Sequence, residues 1–311
     1  MSVIVKSENN SIFVFGCIRS GTTLLRSILN SHPRICCPRE TAFFQLAKQK
    51  NHLNDATFFW EKYKNYRRFV YQNISSELVE NQLGKSNFNY KELFHAIMKS
   101  ILNNSNKIIW CEKTPGHEHY ISSIYKSFPN AKSIFVIRDP RAVVLSISKT
   151  PWGSKYLYVQ CKIWKKSVKK FFSNTNKLPL IEVRYEDLVK NTEEVVISIC
   201  KSLGLDYHPQ MLTNRNINGA NVDDLSSNWR HDYESSVSRD VDSRSLETWK
   251  QELTIRQIRK IEILCYSEMK LLNYSRITNE NLLIFTLLKV LYEFQFLGYR
   301  LIKKLSLLNN K

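Results

Sequence analysis

The seven cysteines of this 311-residue chain include no C-x-x-C pair. Their odd number and scattered positions leave no disulfide framework or zinc ribbon to read, so reduced thiols are the expectation. A run of about 20 apolar residues, the length a spanning helix needs, is also missing. The most apolar stretch, "NLLIFTLLKVLYEFQFLGYRLIKKLSLL", is broken by Lys289, Glu293 and Arg300. It reads as an amphipathic helix packed on the body or on a partner. The second reading is a helix on a membrane surface, with Arg300, Lys303 and Lys304 toward anionic headgroups. The N-terminal "MSVIVKSENN" lacks the apolar length and small-residue cleavage pattern of a signal peptide. A cytoplasmic location, peripheral to the membrane through the C-terminal helix, is therefore expected. There is no internal repeat and no low-complexity linker. Acidic residues are few, 28 against 46 Lys and Arg, for a formal net charge of +18. That balance calls for an anionic partner. The lysines are spread along the chain without a recognition motif, so nucleic acid is not the expected one.

What is present is enough apolar residue, 43% of the chain, to bury the core of one large domain plus a tail. Mostly apolar runs at residues 12–16, 107–111, 132–137 and 179–184 read as parallel strands covered on both faces. Cys36 and Cys37 read as further buried strand residues. Helical patterns alternate with the strands. Leu24, Leu25, Ile28 and Leu29 share one face and "NSHP" ends that helix. Val195, Val196, Ile199, Cys200 and Leu203 share another, with Asn191 and Glu194 spaced as a capping pair and Gly204 as the stop. The alternation argues for an α/β fold with a central, mainly parallel sheet flanked by helices in three layers. Residues 51–107, rich in aromatics, Lys and Asn, read as a helical insertion able to overhang a substrate cleft.

Within "VFGCIRSGTTLL", Gly16 permits a tight exit from the first strand and Gly21 permits close approach of backbone to a phosphate. The helix that follows offers its N–H groups and positive dipole end. Ser20, Thr22 and Thr23 add hydroxyls. The frame is that of a P-loop, yet Thr22 stands where the Walker lysine would be, and Arg19 supplies a forked, permanent cation inside the loop instead. A ligand whose reacting phosphate needs no magnesium bridge suits that arrangement. A P-loop phosphotransferase and a basic, non-catalytic protein binding nucleic acid or membrane remain the competing readings.

A second anion site is suggested by "SIFVIRDPRAVVLSI". Arg138 lies at the strand's C-terminal edge, Asp139 and Pro140 suit a helix start, and Ser146 lies two turns along. Arg141 reads as surface charge. Two alternating histidines in "HEH", His117 and His119, lack further ligand spacing, and no metal site is expected.

Taken together these elements resemble the sulfotransferases that use 3′-phosphoadenosine 5′-phosphosulfate (PAPS), of the carbohydrate and tyrosylprotein types. Gly16 to Thr23 match G-x-x-[RK]-S-G-T-[ST], the family's loop for the 5′-phosphosulfate, and Arg138 with Ser146 match its R-x-x-x-x-x-x-x-S element for the 3′-phosphate. "CPRETAFF" is similar to the segment whose Glu is the catalytic base, which places that role on Glu40. "CEKTPGHEHY" is similar to the E-K-[ST]-P segment, which places a catalytic Lys role on Lys113 beside Arg19. "VRYEDLVKNTEEVVISICKSLGL" is similar to the segment that sets a Tyr by the adenosine, here Tyr185. The matching elements run from about residue 12 to 205 in the family's order.

The resemblance implies a P-loop-type α/β fold, a sulfotransferase domain over residues 1–272 and an amphipathic helical tail over residues 273–311. It implies PAPS as co-substrate with no metal required, and a carbohydrate, tyrosyl or small-molecule acceptor sulfated on a hydroxyl or amine. Phe43, Phe44 and the 51–107 insertion are expected to build the acceptor pocket. The chain departs from the cytosolic branch of the family in two places. His117 lies four residues after Lys113 rather than two, which leaves it as the alternative base to Glu40. The late Arg-Lys-Gly element is absent, and Arg244 in "DVDSRSLETWKQEL" is its substitute.

Overall fold

Six consecutive buried residues, Ser11–Gly16, form the central strand, β1. The computed structural model describes residues 11–48, 55–213, 246–279, 285–288, 290–292 and 294. The other strands are β2 (Ile35–Cys36), β3 (Ile109–Lys113), β4 (Lys132–Ile137) and β5 (Leu180–Arg184). They pair in parallel in the order β2-β3-β1-β4-β5. The sheet is flanked by helices, the α/β arrangement that the continuous apolar runs call for.

The expected strands at 12–16, 132–137 and 179–184 are present to within one residue. The strand expected at 107–111 lies two residues later. Ile108 and Ile109 both donate their N–H to Arg34 O, and the Lys107 ammonium bonds the carbonyl of Ile35 at 2.8 Å and that of Asn30. Pairing thus begins at Ile109 and runs on through Glu112 and Lys113, charged residues that a hydropathy pattern reads as the end of a strand. β2 is two residues long, too short to show a period; Cys36 lies in it and Cys37 is buried just beyond.

Helix Thr22–Asn30 follows β1 and ends at Ser31 as "NSHP" indicates. Helix Thr192–Leu203 ends on Gly204 at φ 70°, but Asn191 makes no side-chain cap. Its backbone is held from the other side, its N–H bonding Asp187 O at 2.8 Å as it closes helix Tyr185–Lys190. The insertion is helical where described, at Ala56–Tyr63, Arg67–Val70, Ser76–Leu83 and Tyr90–Asn103.

Phe94, on the last of these helices, lies 5.0 Å from Phe43, 4.8 Å from Phe44, 5.7 Å from Trp110 and 5.6 Å from Phe128 between ring centroids. Phe43 and Phe44 are therefore core residues, 0% and 8% exposed, rather than the pocket lining expected of them. The reason is energetic: each ring buries on the order of 150–250 Å² against its neighbours, which outweighs any gain from facing a cleft.

The chain divides into two compact units, Met1–Ile137 with Lys170–Asp242, and Arg138–Lys169 with Ser243–Lys311. The first holds the sheet. In the second, Asp139 caps helix Pro140–Ser148 by accepting from Arg141 N at 2.8 Å. Arg141 is not surface charge: it is 4% exposed, donates to Asp139 Oδ2 and Glu262 Oε1 at 2.6 Å each and to Ser275 O at 3.0 Å, and lies 4.0 Å over the Trp249 ring. Its two carboxylate partners explain why a guanidinium can be buried here. Glu262 lies on helix Ile255–Leu271. Of the tail, only 273–279, 285–288, 290–292 and 294 are described, and Arg244 lies outside the described residues.

Candidate functional site

β1 ends at Gly16, whose φ of 150° and crowding by Val136 O, 2.7 Å from where a Cβ would lie, admit no side chain. The chain then turns back, with Ser20 N bonding Cys17 O at 3.1 Å. Arg19 is left-handed at φ 67° and Gly21 at φ 89°. A left-handed arginine costs on the order of 1–3 kcal/mol, and such strain concentrates at functional loops. Gly21 is the N-cap of helix Thr22–Asn30 and carries no side-chain cap. The first-turn N–H groups and the dipole of that helix are thus offered to an anion. A Cβ on Gly21 would fall 2.1 Å from Cδ2 of Tyr185, so the Tyr185 ring packs directly on this turn. Loop and ring together form a cradle suited to a phosphate with an attached base.

Lys113 reaches the same place from the C-terminal end of β3, where it registers with Val14 of β1. It is 2% exposed; its Nζ lies 2.6 Å from Glu40 Oε1 and 3.4 Å from Thr23 Oγ1. Arg68 Nη1 approaches the other Glu40 oxygen at 3.3 Å, and the Glu40 side chain stays 27% exposed. Burial alone would raise the Glu40 carboxyl; the cations of Lys113 and Arg68 outweigh it and hold the group below its usual 4.5. Glu40 is therefore a carboxylate at neutral pH, gripped by two cations and still reachable.

Successive residues of a strand point to opposite faces, so Glu112 turns away from Lys113 and does not pair with it. Glu112 accepts from Thr41 Oγ1 at 2.9 Å and Thr114 Oγ1 at 2.6 Å, and its other oxygen meets His117 Nδ1 at 2.8 Å. Burial opposes its ionisation, but His117 and these hydrogen bonds hold it below the usual carboxylate value. Thr41 is thereby pinned next to Glu40. Arg26 secures the other side, its Nε donating to Pro38 O at 2.7 Å and Cys37 O at 3.2 Å.

The structure thus brings Arg19, Ser20, Gly21, Thr22, Thr23, Glu40, Lys113 and Tyr185 into one region of the first unit. His117 is fully buried beneath it, its ring edge-on to Phe44 at 5.2 Å. Arg138 and Ser146 belong to the second unit, where Arg138 O accepts from Trp164 Nε1 at 2.9 Å and Ser146 lies on helix Pro140–Ser148.

Arg68 and Arg26 escaped the sequence reading, which took Glu112 only as part of the E-K-[ST]-P segment. Arg26 had a signal, as the lone charge within "TTLLRSILN", and so had Glu112, as an acid adjoining an apolar strand. Arg68 had none. Among the described residues no group of three or more His, Cys, Asp or Glu gathers as a metal would require, and no helix is long and apolar enough to cross a membrane.

A family model described as "Sulfotransferase family" matches residues 11–209. A Caenorhabditis briggsae protein provisionally named protein-tyrosine sulfotransferase is 28% identical over 263 residues, covering 81% of this chain and 84% of its own. A Caenorhabditis elegans protein of the same provisional name is 26% identical over 250 residues, covering 76% and 86%. Among solved structures, the sulfotransferase domain of the Synechococcus PCC 7002 olefin synthase shares the fold at a TM-score of 0.63 and 20% identity, covering 86% of this chain and 95% of its own.

Proposed function

Because the chain belongs to the sulfotransferase family and is a sulfotransferase enzyme, we propose that its donor is PAPS and its favoured acceptor the phenolic hydroxyl of a tyrosyl residue in a peptide. The names of its relatives support the acceptor. The observation that carries the reading is the Glu40–Lys113 pair set against the uncapped, Arg19-bearing loop. Carbohydrate and small-molecule hydroxyls or amines are the broader class from which the tyrosyl group is chosen.

When bound, the donor supplies a sulfuryl group on a phosphate leaving group. The N–H groups of the Thr22–Asn30 turn and the guanidinium of Arg19 hold negative charge at the loop, and Thr22 and Thr23 add hydroxyl donors. Tyr185 packs by the adenosine. Glu40 takes the proton from the acceptor oxygen as that oxygen attacks sulfur in line. Lys113, relieved of part of its charge partner as Glu40 is protonated, then stabilises the charge growing on the departing phosphate. Proton transfer and leaving-group stabilisation are coupled through one 2.6 Å contact. Positioned acid–base groups of this kind contribute about 10²–10⁴-fold. The chain's own cations take the role that magnesium fills at a Walker loop, so no metal is required.

The test is incubation with sulfur-labelled PAPS and tyrosine-containing peptides in the presence of EDTA. Label should pass to the tyrosyl oxygen. Glu40→Gln should retain binding of the desulfated donor product, PAP, while turnover falls about 10²–10⁴-fold. Label passing from PAPS only to glycans would move the acceptor. Full activity of Glu40→Gln would remove Glu40 from the mechanism.

A further inference from the structure

Toward its C-terminal end the chain carries an apolar face that the proposed chemistry does not use. Residues 285–288, 290–292 and 294 are helical and belong to the second unit. One side of this helix packs on helix Ile255–Leu271: the Phe285 ring lies 4.9 Å from that of Tyr266 between centroids, and Lys260 Nζ lies 4.8 Å over the Tyr292 ring. Phe285 and Tyr292 are two helical turns apart and so share that side. Leu287, Val290, Leu291 and Phe294 follow one another at steps of three, one and three, which sets them together on the opposite side. That side is open: Leu287 is 70% exposed and Phe294 66%, and Val290 and Leu291 are exposed with them. Single apolar residues at a surface are ordinary, but four in one stripe mark a face that takes a partner. In the sequence the same spacing runs on through Leu297, Leu301, Leu305 and Leu308.

Charge decides the kind of partner. Residues 273–311 hold six Lys and Arg against two Glu, within a chain of net charge +18. Two copies meeting through this face would bring like charges together, whereas an anionic surface meets them with opposite charge. We propose that the exposed face of this helix lies on an anionic lipid surface, in the plane of the headgroups. A helix so placed buries its apolar stripe at the boundary of headgroups and acyl chains, and the basic residues of the same segment add electrostatic attraction. Phe285 and Tyr292 hold the other side on helix Ile255–Leu271, so the fold itself meets part of the cost of ordering the helix for binding.

The test is co-sedimentation of the full chain with vesicles of phosphatidylcholine alone and of phosphatidylcholine with phosphatidylserine, at low and high salt. The chain should bind the phosphatidylserine vesicles, and added salt should weaken that binding. Leu287→Gln with Phe294→Gln changes no charge and should weaken it about tenfold or more. Leu287→Met with Phe294→Met keeps the face apolar and should retain it. Both positions are exposed, so circular dichroism melts of the variants should match the parent chain. Sedimentation velocity over a range of protein concentrations reads the rival partner, a second copy. Failure to bind phosphatidylserine vesicles, equal binding to phosphatidylcholine alone, or undiminished binding by the folded Gln variant overturns the proposal. So does a dimer of the parent chain that the Gln variant dissociates.

Discussion

At the scale of single residues, Glu40 is governed by its two cations. Arg68 Nη1 lies 3.3 Å from Glu40 Oε2 and helps hold the carboxyl below 4.5. Arg68→Ala therefore raises the Glu40 pKa, and the acid limb of the pH–rate profile should move to higher pH while the alkaline limb stays. An acid limb that does not move would mean that another group titrates there. Gly21 is governed by backbone. At φ 89°, with the Tyr185 ring 2.1 Å from a would-be Cβ, Gly21→Ala should lower stability by about 1–3 kcal/mol in urea and weaken PAP binding. Adding Tyr185→Ala should restore part of the stability and none of the binding, because the clash is relieved while the ring proposed to pack by the adenosine is lost. These consequences were partly legible in the sequence: loop spacing pointed to Gly21 and Arg19, and the resemblance pointed to Glu40 and Lys113. Arg68 comes from a helix of the insertion, with nothing in its neighbours to set it apart.

At the scale of elements, a charged residue can be read correctly by type and wrongly by place. Arg141 follows Asp139 and Pro140 at a helix start, where exposure is the ordinary outcome. The structure instead buries it between Asp139 and Glu262, the latter 121 residues further along the chain. Arg141→Met should therefore leave two carboxylates without their cation and cost about 3–5 kcal/mol, read as a loss of urea midpoint. A loss below about 1 kcal/mol would mean that the pair relaxes into water. The aromatic insertion follows the same logic. Phe43 and Phe44 were legible as important, but only the packing of Phe94 shows that they are core.

For the whole molecule, acid sensitivity should begin near neutral pH. His32 is buried and accepts from Arg34 N at Nδ1, and is held neutral even though the Asp206 carbonyl at Nε2 favours its protonated form. Burial first, and then the charges of His208, Arg34 and Lys107, depress its pKa below the usual 6.5. Below about pH 6.5 the unfolded chain takes up a proton that the folded chain refuses, so its contribution to stability is present above that pH and is lost as pH falls. Urea midpoints should decline from pH 7.5 to 5.5 and flatten in His32→Gln. A second decline, below about 4.5, belongs to Glu40 and Glu112, whose carboxyls are likewise held low.

By itself the sequence determined the strand, loop and helix that run from Ser11 to Asn30, the parallel α/β sheet and the chemical family, because each depends on short-range spacing: glycines at a turn, apolar runs of strand length, an arginine inside a loop. Only the tertiary structure decided which charges meet. Lys113 lies 73 residues from Glu40 in the chain and 2.6 Å from it in space. Glu112, the next residue in sequence, faces the other way toward His117. A β-strand's alternation of faces separates neighbours, and only the closing of the sheet and the burial of both faces bring distant groups together.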